Sequence, residues 1–279
     1  MNKFIAGIRL LRPLNCLTGA VVVFVAAAIT HSLDHISLLL TAMAVVMFYN
    51  GGANAINDYY DYEIDKINRP DRPLSSGMLT KITGLLIAIS LFILGSLLAF
   101  QLNTIAMLIA ILLAMPILIF YTIGLKNRPL IGNMAVALIL GLVFIFAGAV
   151  FESIAIMIVP AVLAFLLTFL REVIKDVEDM EGDNKMGLHT FPIVAGTTAT
   201  YRIVRWWAFF TGLIMLLPIW YEFYSIQYLW IVLIGINLPL LYIITKFSFE
   251  PDMKTVSLSA KLLKVSTIAG VIAVYFGSV

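Results

Sequence analysis

Residues 36–65 read ISLLLTAMAVVMFYNGGANAINDYYDYEID, an uncharged apolar run that ends in a cluster of carboxylates. Apolar runs of about 18 to 22 residues recur along the chain, and a run of that length crosses a hydrocarbon layer roughly 30 Å thick. Of the 279 residues, 62% are hydrophobic and 12% are charged, whereas soluble domains carry about 25% charged residues. This composition excludes a soluble globular enzyme, a nucleic-acid-binding domain and a disordered chain, and it predicts a polytopic membrane protein.

Nine apolar segments are long enough to span a bilayer, so we expect an all-α bundle that forms a single membrane domain over residues 1–279. The predicted spans are residues 14–32, 36–57, 82–101, 104–123, 130–150, 153–170, 206–221, 226–245 and 262–279. No segment alternates with the two-residue period of a transmembrane β-strand, which excludes a β-barrel. Because Cys16 is the only cysteine, an internal disulfide is excluded as well.

The basic residues lie on one set of connecting segments. All 18 Lys and Arg residues fall in the N-terminus, 58–81, 124–129, 171–205 and 246–264, and the alternate segments contain none. The positive-inside rule therefore predicts a cell-membrane protein whose N-terminus and long polar loops are cytoplasmic and whose C-terminus is outside. Most carboxylates lie in the same segments, so we expect the chemistry at the cytoplasmic face.

Two sets of three aspartates repeat one spacing of three and then four residues. We expect the sets in cytoplasmic Asp-rich loops, Asp58, Asp61 and Asp65 in the loop after the second span and Asp176, Asp179 and Asp183 in the loop after the sixth. On a helix these offsets share one face, so each set predicts a stripe of carboxylates at the cytoplasmic end of a membrane helix. Asn50, Asn54 and Asn57 continue the first stripe into the span, where amide side chains need protein, water or a ligand as partner.

Stacked carboxylates repel one another, so two such stripes favour a cation between them. Mg²⁺ takes oxygen ligands and is commonly held by one or two carboxylates together with substrate phosphate oxygens. A lipid-linked diphosphate fits this place, with its head on the metal and its tail along the apolar helices. Alternatively, the two sets are simply solvated acidic helix ends.

Several cations could stabilise a departing diphosphate or bind a second phosphate. The candidates are Arg69 and Arg72 in a proline-rich turn, Lys126 after Tyr121, Arg12 with Asn15 at the start of the first span, and Arg171 and Lys175 beside the second Asp set. We expect Asn15 to make a polar contact inside the bundle. Positive-inside anchoring would also explain these cations.

The two Asp sets resemble the motifs of the UbiA-type intramembrane prenyltransferase superfamily. Its first motif, N-x-x-x-D-x-x-x-D, is matched by Asn57, Asp61 and Asp65, and its second, D-x-x-x-D, is matched by Asp179 and Asp183. The motifs stand after helices 2 and 6 of nine, and the resemblance covers nearly the whole chain.

Two further stretches refine the resemblance. The family carries a Tyr-x-x-x-Lys element after its fourth helix, and here Tyr121 and Lys126 stand one residue further apart. Residues 57–77 and 171–183 are most similar to the archaeal branch that prenylates geranylgeranylglyceryl phosphate and so forms the second ether bond of archaeal membrane lipids.

The resemblance implies Mg²⁺-dependent transfer of a geranylgeranyl group from geranylgeranyl diphosphate to the free hydroxyl of geranylgeranylglyceryl phosphate. The implied metal ligands are Asn57, Asp61, Asp65, Asp179 and Asp183. The implied catalytic residues are Lys126 and Arg72, which neutralise the leaving diphosphate, and Asp58 and Asp176, as ligands or as partners of ligands. The implied substrate contacts are Arg12, Asn15, Asn54, Arg69, Tyr121, Arg171 and Lys175.

Three other functions are compatible with a membrane protein of this kind. A secondary transporter would place ionisable groups near the bilayer midplane, whereas the span interiors here hold none. A CDP-alcohol phosphatidyltransferase would need a glycine directly after its second aspartate, but Asp61 is followed by Tyr62. Within the superfamily, prenylation of an aromatic ring stays open as the alternative acceptor chemistry.

Overall fold

The computed structural model describes residues 3–278, and every regular element within that range is helical, with no β-strand. The helices are α1 (Lys3–Leu11), α2 (Pro13–Ile29), α3 (Ile36–Tyr60), α4 (Tyr62–Asn68), α5 (Lys81–Ala99), α6 (Thr104–Ile123), α7 (Ile131–Val150), α8 (Ile154–Lys185), α9 (Phe191–Ala195), α10 (Thr197–Trp220), α11 (Ile226–Lys246) and α12 (Met253–Ser278). Helices α6 and α11 each contain a π-helical segment, at Ile109–Ala114 and Leu233–Asn237.

Eight of these helices are long and apolar enough to cross a membrane. They are α3, α5, α6, α7, α8, α10, α11 and α12, and the bent pair α1 and α2 brings the number within residues 3–278 to nine if the pair counts as one span. The all-α polytopic architecture expected from the sequence is therefore confirmed.

The second acidic segment is a helix, which corrects the prediction of an Asp-rich loop after the sixth span. Helix α8 continues from the apolar part of the chain to Lys185, fifteen residues beyond the predicted end of the span at residue 170. Ion pairs of the i,i+4 type, from Lys175 to Asp179 and from Lys185 to Glu181, lie along this extension, and such pairs support a solvated helix. The first set is also largely helical, because Asp58 is in α3 and Asp65 is in α4.

The chain forms two compact units, and the first contains the residues up to Gly124 together with Val143–Ala155. Helix α3 packs between α2 and α5 in this unit. Small residues permit the close approach, since a Cβ atom at Gly95 would lie 2.6 Å from the ring of Tyr49. Membrane helices commonly pack through small residues in this way.

The second unit contains Leu125–Leu142 and the chain from Ile156 onward. Helix α10 packs on the second half of α11, and the first half of α11 packs on α12. Two aromatic side chains donate hydrogen bonds to backbone carbonyls, because half-buried Trp207 Nε1 lies 3.0 Å from the oxygen of Leu166 and buried Tyr228 Oη lies 2.8 Å from that of Met215. The single membrane domain over residues 1–279 stays a prediction.

The first span is bent at one residue. Helices α1 and α2 meet at 46°, and Arg12 between them adopts a left-handed backbone conformation with φ 52° and ψ 70°. Pro13 follows at the start of α2, where its missing N–H is tolerated. The bend directs the Arg12 side chain towards the end of α3.

Candidate active site

The first Asp set lies where α3 gives way to α4. The chain leaves the helix at Asp61, which separates the two elements. As a result Asp58 and Asp65 are buried, whereas Asp61 is only partly covered. Asn57 donates a hydrogen bond from Nδ2 to Asp61 Oδ2 over 2.9 Å, so this amide and this carboxylate face the same place.

Arg72 connects the two buried carboxylates of this set. Its Nη1 lies 3.1 Å from Asp58 Oδ1 and 2.5 Å from Asp65 Oδ2. The turn that carries Arg72 is held by its own hydrogen bonds, because the Ser75 and Ser76 hydroxyls both donate to the carbonyl of Arg72. A guanidinium between two buried carboxylates offsets the electrostatic cost of burying them.

A second guanidinium reaches the same carboxylate from the bend between α1 and α2. Arg12 Nη2 lies 2.5 Å from Asp58 Oδ1, and Nη1 lies 3.4 Å from Asn54 Oδ1. Asn54 in turn donates from Nδ2 to the carbonyl of Leu11 over 2.9 Å. Asp58, with only 2% of its side chain exposed, thus holds Arg12 and Arg72 together.

Helix α4 carries one more cation beside this cluster. Lys66 pairs with Glu63 at 3.1 Å, and this hydrogen bond raises the pKa of Lys66 above its ordinary value. The lysine also lies 4.2 Å from the ring centre of Tyr62. Both side chains of the ion pair are largely exposed, so the pair itself contributes little to stability.

The second Asp set lies along the last turns of α8. Lys175 Nζ is 2.8 Å from Asp179 Oδ2, and Arg171 pairs with the adjacent Glu172. Asp176 accepts a hydrogen bond over 2.9 Å from Nδ2 of Asn133, at the start of α7. Asn133 is a buried residue that the sequence alone did not single out.

Four further predicted site residues are described by their exposure or by the element that carries them. Asn15 is exposed and its carbonyl accepts the Thr18 hydroxyl, so the polar contact expected inside the bundle is not formed. The Arg69 side chain is exposed. Tyr121 lies in α6, whereas Lys126 lies in the 3₁₀ turn Leu125–Asn127 that follows.

The donor chemistry fits a hard cation such as Mg²⁺. Asp61 and Asn57 offer oxygen atoms at one place, Asp179 and Asp183 offer carboxylates on α8, and Asp65 uses Oδ2 for Arg72. Across residues 3–278, no three His, Cys, Asp or Glu side chains converge into a metal cluster. Mg²⁺ keeps several waters and substrate oxygens in its coordination shell, so separate carboxylates suit it better than a protein cage.

Comparison with known proteins places the chain in one family. The profile of the UbiA prenyltransferase family matches residues 16–265. The digeranylgeranylglyceryl phosphate synthase of Methanosphaera stadtmanae is 36% identical over 84% of this chain and 84% of its own length. The Pyrococcus furiosus protein of the same name is 34% identical, and the alignment covers 97% of this chain and 96% of that protein.

Solved structures have the same fold. A structure described in work on digeranylgeranylglyceryl phosphate synthase in membranes aligns with a TM-score of 0.85 and 29% identity, and covers 100% of this chain and 99% of its own. A UbiA homolog from Archaeoglobus fulgidus, bound to DMAPP and Mg²⁺, aligns with a TM-score of 0.64 and 19% identity over 96% of this chain and 98% of that one. At that lower identity the likeness concerns the fold alone.

Proposed function

Because the chain belongs to the UbiA prenyltransferase family, we propose that it transfers a geranylgeranyl group from geranylgeranyl diphosphate to the free hydroxyl of geranylgeranylglyceryl phosphate. The product would carry the second ether bond of an archaeal membrane lipid. The chain is an integral membrane protein by its apolar helices and its family, so the lipid bilayer is the environment from which both substrates would come.

One observation carries this proposal, namely identity that extends over almost the entire chain to proteins of a single name. Relatives named digeranylgeranylglyceryl phosphate synthase are 34% identical over 97% of the chain in one case and 32% identical over 100% in another, from Saccharolobus solfataricus. The acceptor that this name implies carries a phosphate, and Arg12, one of the two guanidiniums on Asp58, supplies a cation suited to it.

We propose that the oxygens of both Asp sets bind Mg²⁺ together with the diphosphate. The ligands would be Asn57, Asp61, Asp65, Asp179 and Asp183. When bound, the metal supplies positive charge to the oxygens of the leaving diphosphate. The carboxylate of Asp65 can take part while keeping Arg72, because a carboxylate has lone pairs on two oxygens and only Oδ2 bonds to the guanidinium.

The side chains of this protein would bind, orient and neutralise the reactants. Arg72 and Lys126 would stabilise negative charge on the diphosphate as the bond between C1 and oxygen breaks. Arg12 would bind the phosphate of the acceptor, with Arg171 as the other candidate, and the hydroxyl oxygen would then form the new bond to C1. Apolar side chains around the prenyl tail would exclude water and so limit hydrolysis of the allylic cation.

Asp58 has a different role from the other aspartates of the first set. Asp58 is enclosed by two guanidiniums, so we propose that it positions Arg12 and Arg72 and does not itself bind metal. A carboxylate that accepts the hydroxyl proton of the acceptor is not singled out by its contacts. Asn15, Asn54, Arg69, Tyr121 and Lys175 stay predicted substrate contacts, and Asp176 stays a predicted catalytic-site residue.

We further propose that both Asp sets lie at the cytoplasmic face, with the C-terminus outside. The support is the distribution of charge, because all 18 Lys and Arg residues lie in alternate segments and such segments stay in the cytoplasm.

The deciding experiment is prenyl transfer by the purified, detergent-solubilised protein. It would receive geranylgeranyl diphosphate and Mg²⁺, with geranylgeranylglyceryl phosphate and 4-hydroxybenzoate as competing acceptors and EDTA as the control. Metal-dependent transfer to the glyceryl phosphate alone is the expected result. Transfer to the aromatic ring would agree with prenyltransferase activity but would overturn the proposed acceptor. No transfer to either acceptor would overturn the proposed enzyme activity.

A further inference from the structure

The segment between α6 and α7 carries Lys126 in a turn whose backbone is tightly held. Residues 125–133, here called the lysine turn, begin with the 3₁₀ helix Leu125–Asn127 and enter α7 through Leu130, whose φ is +59°. Residues other than glycine rarely adopt such a backbone conformation. The surroundings therefore fix the path of this turn.

Glycine is required where α7 passes the turn. A Cβ atom at Gly132 would lie 2.8 Å from the carbonyl oxygen of Leu125 and 3.1 Å from the Cα atom of Lys126. Both contacts are with backbone, which cannot move aside as a flexible side chain could. The backbone of Lys126 is therefore packed directly on the first turn of α7.

Two asparagine side chains tie the turn to the acidic end of α8 and to the segment that follows. Asn133 donates from Nδ2 to Asp176 Oδ2 over 2.9 Å. At the other end of the turn, Asn127 Oδ1 accepts the backbone N–H of His189 over 2.7 Å. Asn133 is 8% exposed, and a buried hydrogen bond between an amide and a carboxylate constrains the two segments that carry them.

We propose that Asn133, with Gly132, is a positioning residue that holds Lys126 in register with the second Asp set for binding of the prenyl diphosphate. This inference rests on the proposed function, because it needs Lys126 and α8 to serve the same substrate. Loss of a hydrogen bond that orients a binding group commonly lowers affinity or activity by about 10- to 100-fold, and small misplacements of such groups have similar effects.

The first test compares two variants at the start of α7 with two matched controls. Asn133→Ala and Gly132→Ala should each lower kcat/KM for geranylgeranyl diphosphate by about 10- to 100-fold.

Gly141→Ala is the matched control for the glycine, because its Cβ would lie 2.9 Å from the carbonyl oxygen of Ala161, away from the turn. Asn103→Ala is the matched control for the amide, because Asn103 bonds to the carbonyl of Ala149 at the other end of α7. Both controls should lower stability but leave KM for the diphosphate unchanged.

The second test asks whether Asn133 acts through the lysine. In a Lys126→Ala background, Asn133→Ala should cause less than about a threefold further loss, because residues that act as one unit are not additive. The same full loss in both backgrounds would overturn the proposal. Equal losses in Asn133→Ala and Asn103→Ala, after correction for folded protein, would also overturn it while leaving the transferase activity intact.

A readout without catalysis separates this inference from the proposed function. Hydrogen exchange of amides 125–133 should accelerate in Asn133→Ala and Gly132→Ala and stay unchanged in Gly141→Ala. Unchanged exchange in all three variants would overturn the positioning role of Asn133 and Gly132, whether or not the enzyme is active. A wild-type protein that transfers no prenyl group, with the exchange pattern as expected, would instead overturn the proposed function and the role of the turn in it.

Discussion

The guanidinium of Arg72 lies 2.5 Å from the carboxylate of Asp65, seven residues earlier in the chain, and both side chains are largely covered. Arg72 also reaches Asp58, so one cation satisfies two buried anions. A predicted metal ligand is thus already bound to a predicted catalytic arginine. Any cation that binds Asp65 shares that carboxylate with Arg72.

Removing Arg72 should destabilise the protein strongly. Arg72→Ala leaves two buried carboxylates without this partner, and breaking a buried ion pair by removing one side costs about 3–5 kcal/mol. Arg69→Ala, an exposed arginine in the same turn, should change stability by less than about 0.5 kcal/mol. Thermal unfolding in detergent, followed by circular dichroism, measures both. Equal effects of the two variants would contradict the ion network.

Loss of one carboxylate from either Asp set should abolish turnover without unfolding the protein. Asp61→Ala and Asp183→Ala should each lower prenyl transfer by about 100-fold or more, because each removes a proposed metal ligand, and both proteins should still be extracted from the membrane as folded monodisperse species. The control is Asp34→Ala, whose side chain is 78% exposed. Activity retained in either Asp61→Ala or Asp183→Ala would contradict the proposal that both Asp sets bind the metal.

Arg12 should affect the acceptor more than the prenyl donor. Arg12→Ala removes the guanidinium that we propose for the acceptor phosphate, and a lost hydrogen bond to a charged group is worth about 1.5–3 kcal/mol. KM for geranylgeranylglyceryl phosphate should therefore rise by at least about tenfold, with a smaller change for geranylgeranyl diphosphate. Arg9→Ala, on the short helix α1 that precedes Arg12, is the control. Equal increases in both KM values would show that Arg12 acts through the shared cluster and not on the acceptor.

Cysteine labelling should reveal the orientation in the membrane. The only native cysteine, Cys16, is buried, so introduced cysteines can be read separately. In right-side-out vesicles, a membrane-impermeant maleimide should label Gln101→Cys and leave Asn184→Cys unlabelled, since residue 184 follows the second Asp set. The residues at both positions are exposed. The reverse pattern would place the acidic helix ends outside the cell.

Hydropathy predicted the membrane segments well because the bilayer dictates their length. The span predicted at 104–123 agrees with α6, Thr104–Ile123. Helix α8 continues fifteen residues past residue 170, where the predicted span ends, because the loss of hydropathy limits the apolar span and not the helix. The spacing of Asp176, Asp179 and Asp183 predicted a helical face, and the i,i+4 pair of Lys175 and Asp179 supports the same helix.

Spacing along one helix predicted the residue types of the site but not their partners. Asp58 and Asp65 lie in two helices, α3 and α4, and both contact Arg72. Their partners Arg12 and Arg72 come from a bend and from a turn outside these helices. Asn133 escaped notice because it stands alone at the start of an apolar run and meets Asp176 only through packing of α7 on α8. Such contacts arise between elements, and no periodicity within one element contains them.

The left-handed backbone at Arg12 favours other residue types at this position. Glycine or asparagine would adopt φ 52° more comfortably, and an arginine there forfeits about 1 kcal/mol or more of folding stability. Arg12 also pairs with the buried carboxylate of Asp58, so the ion pair offsets the backbone strain at this position. Arg12→Gly relieves the strain and removes the charge together, whereas Arg12→Ala removes the charge and keeps a Cβ atom, so the difference in stability between the two variants measures the strain.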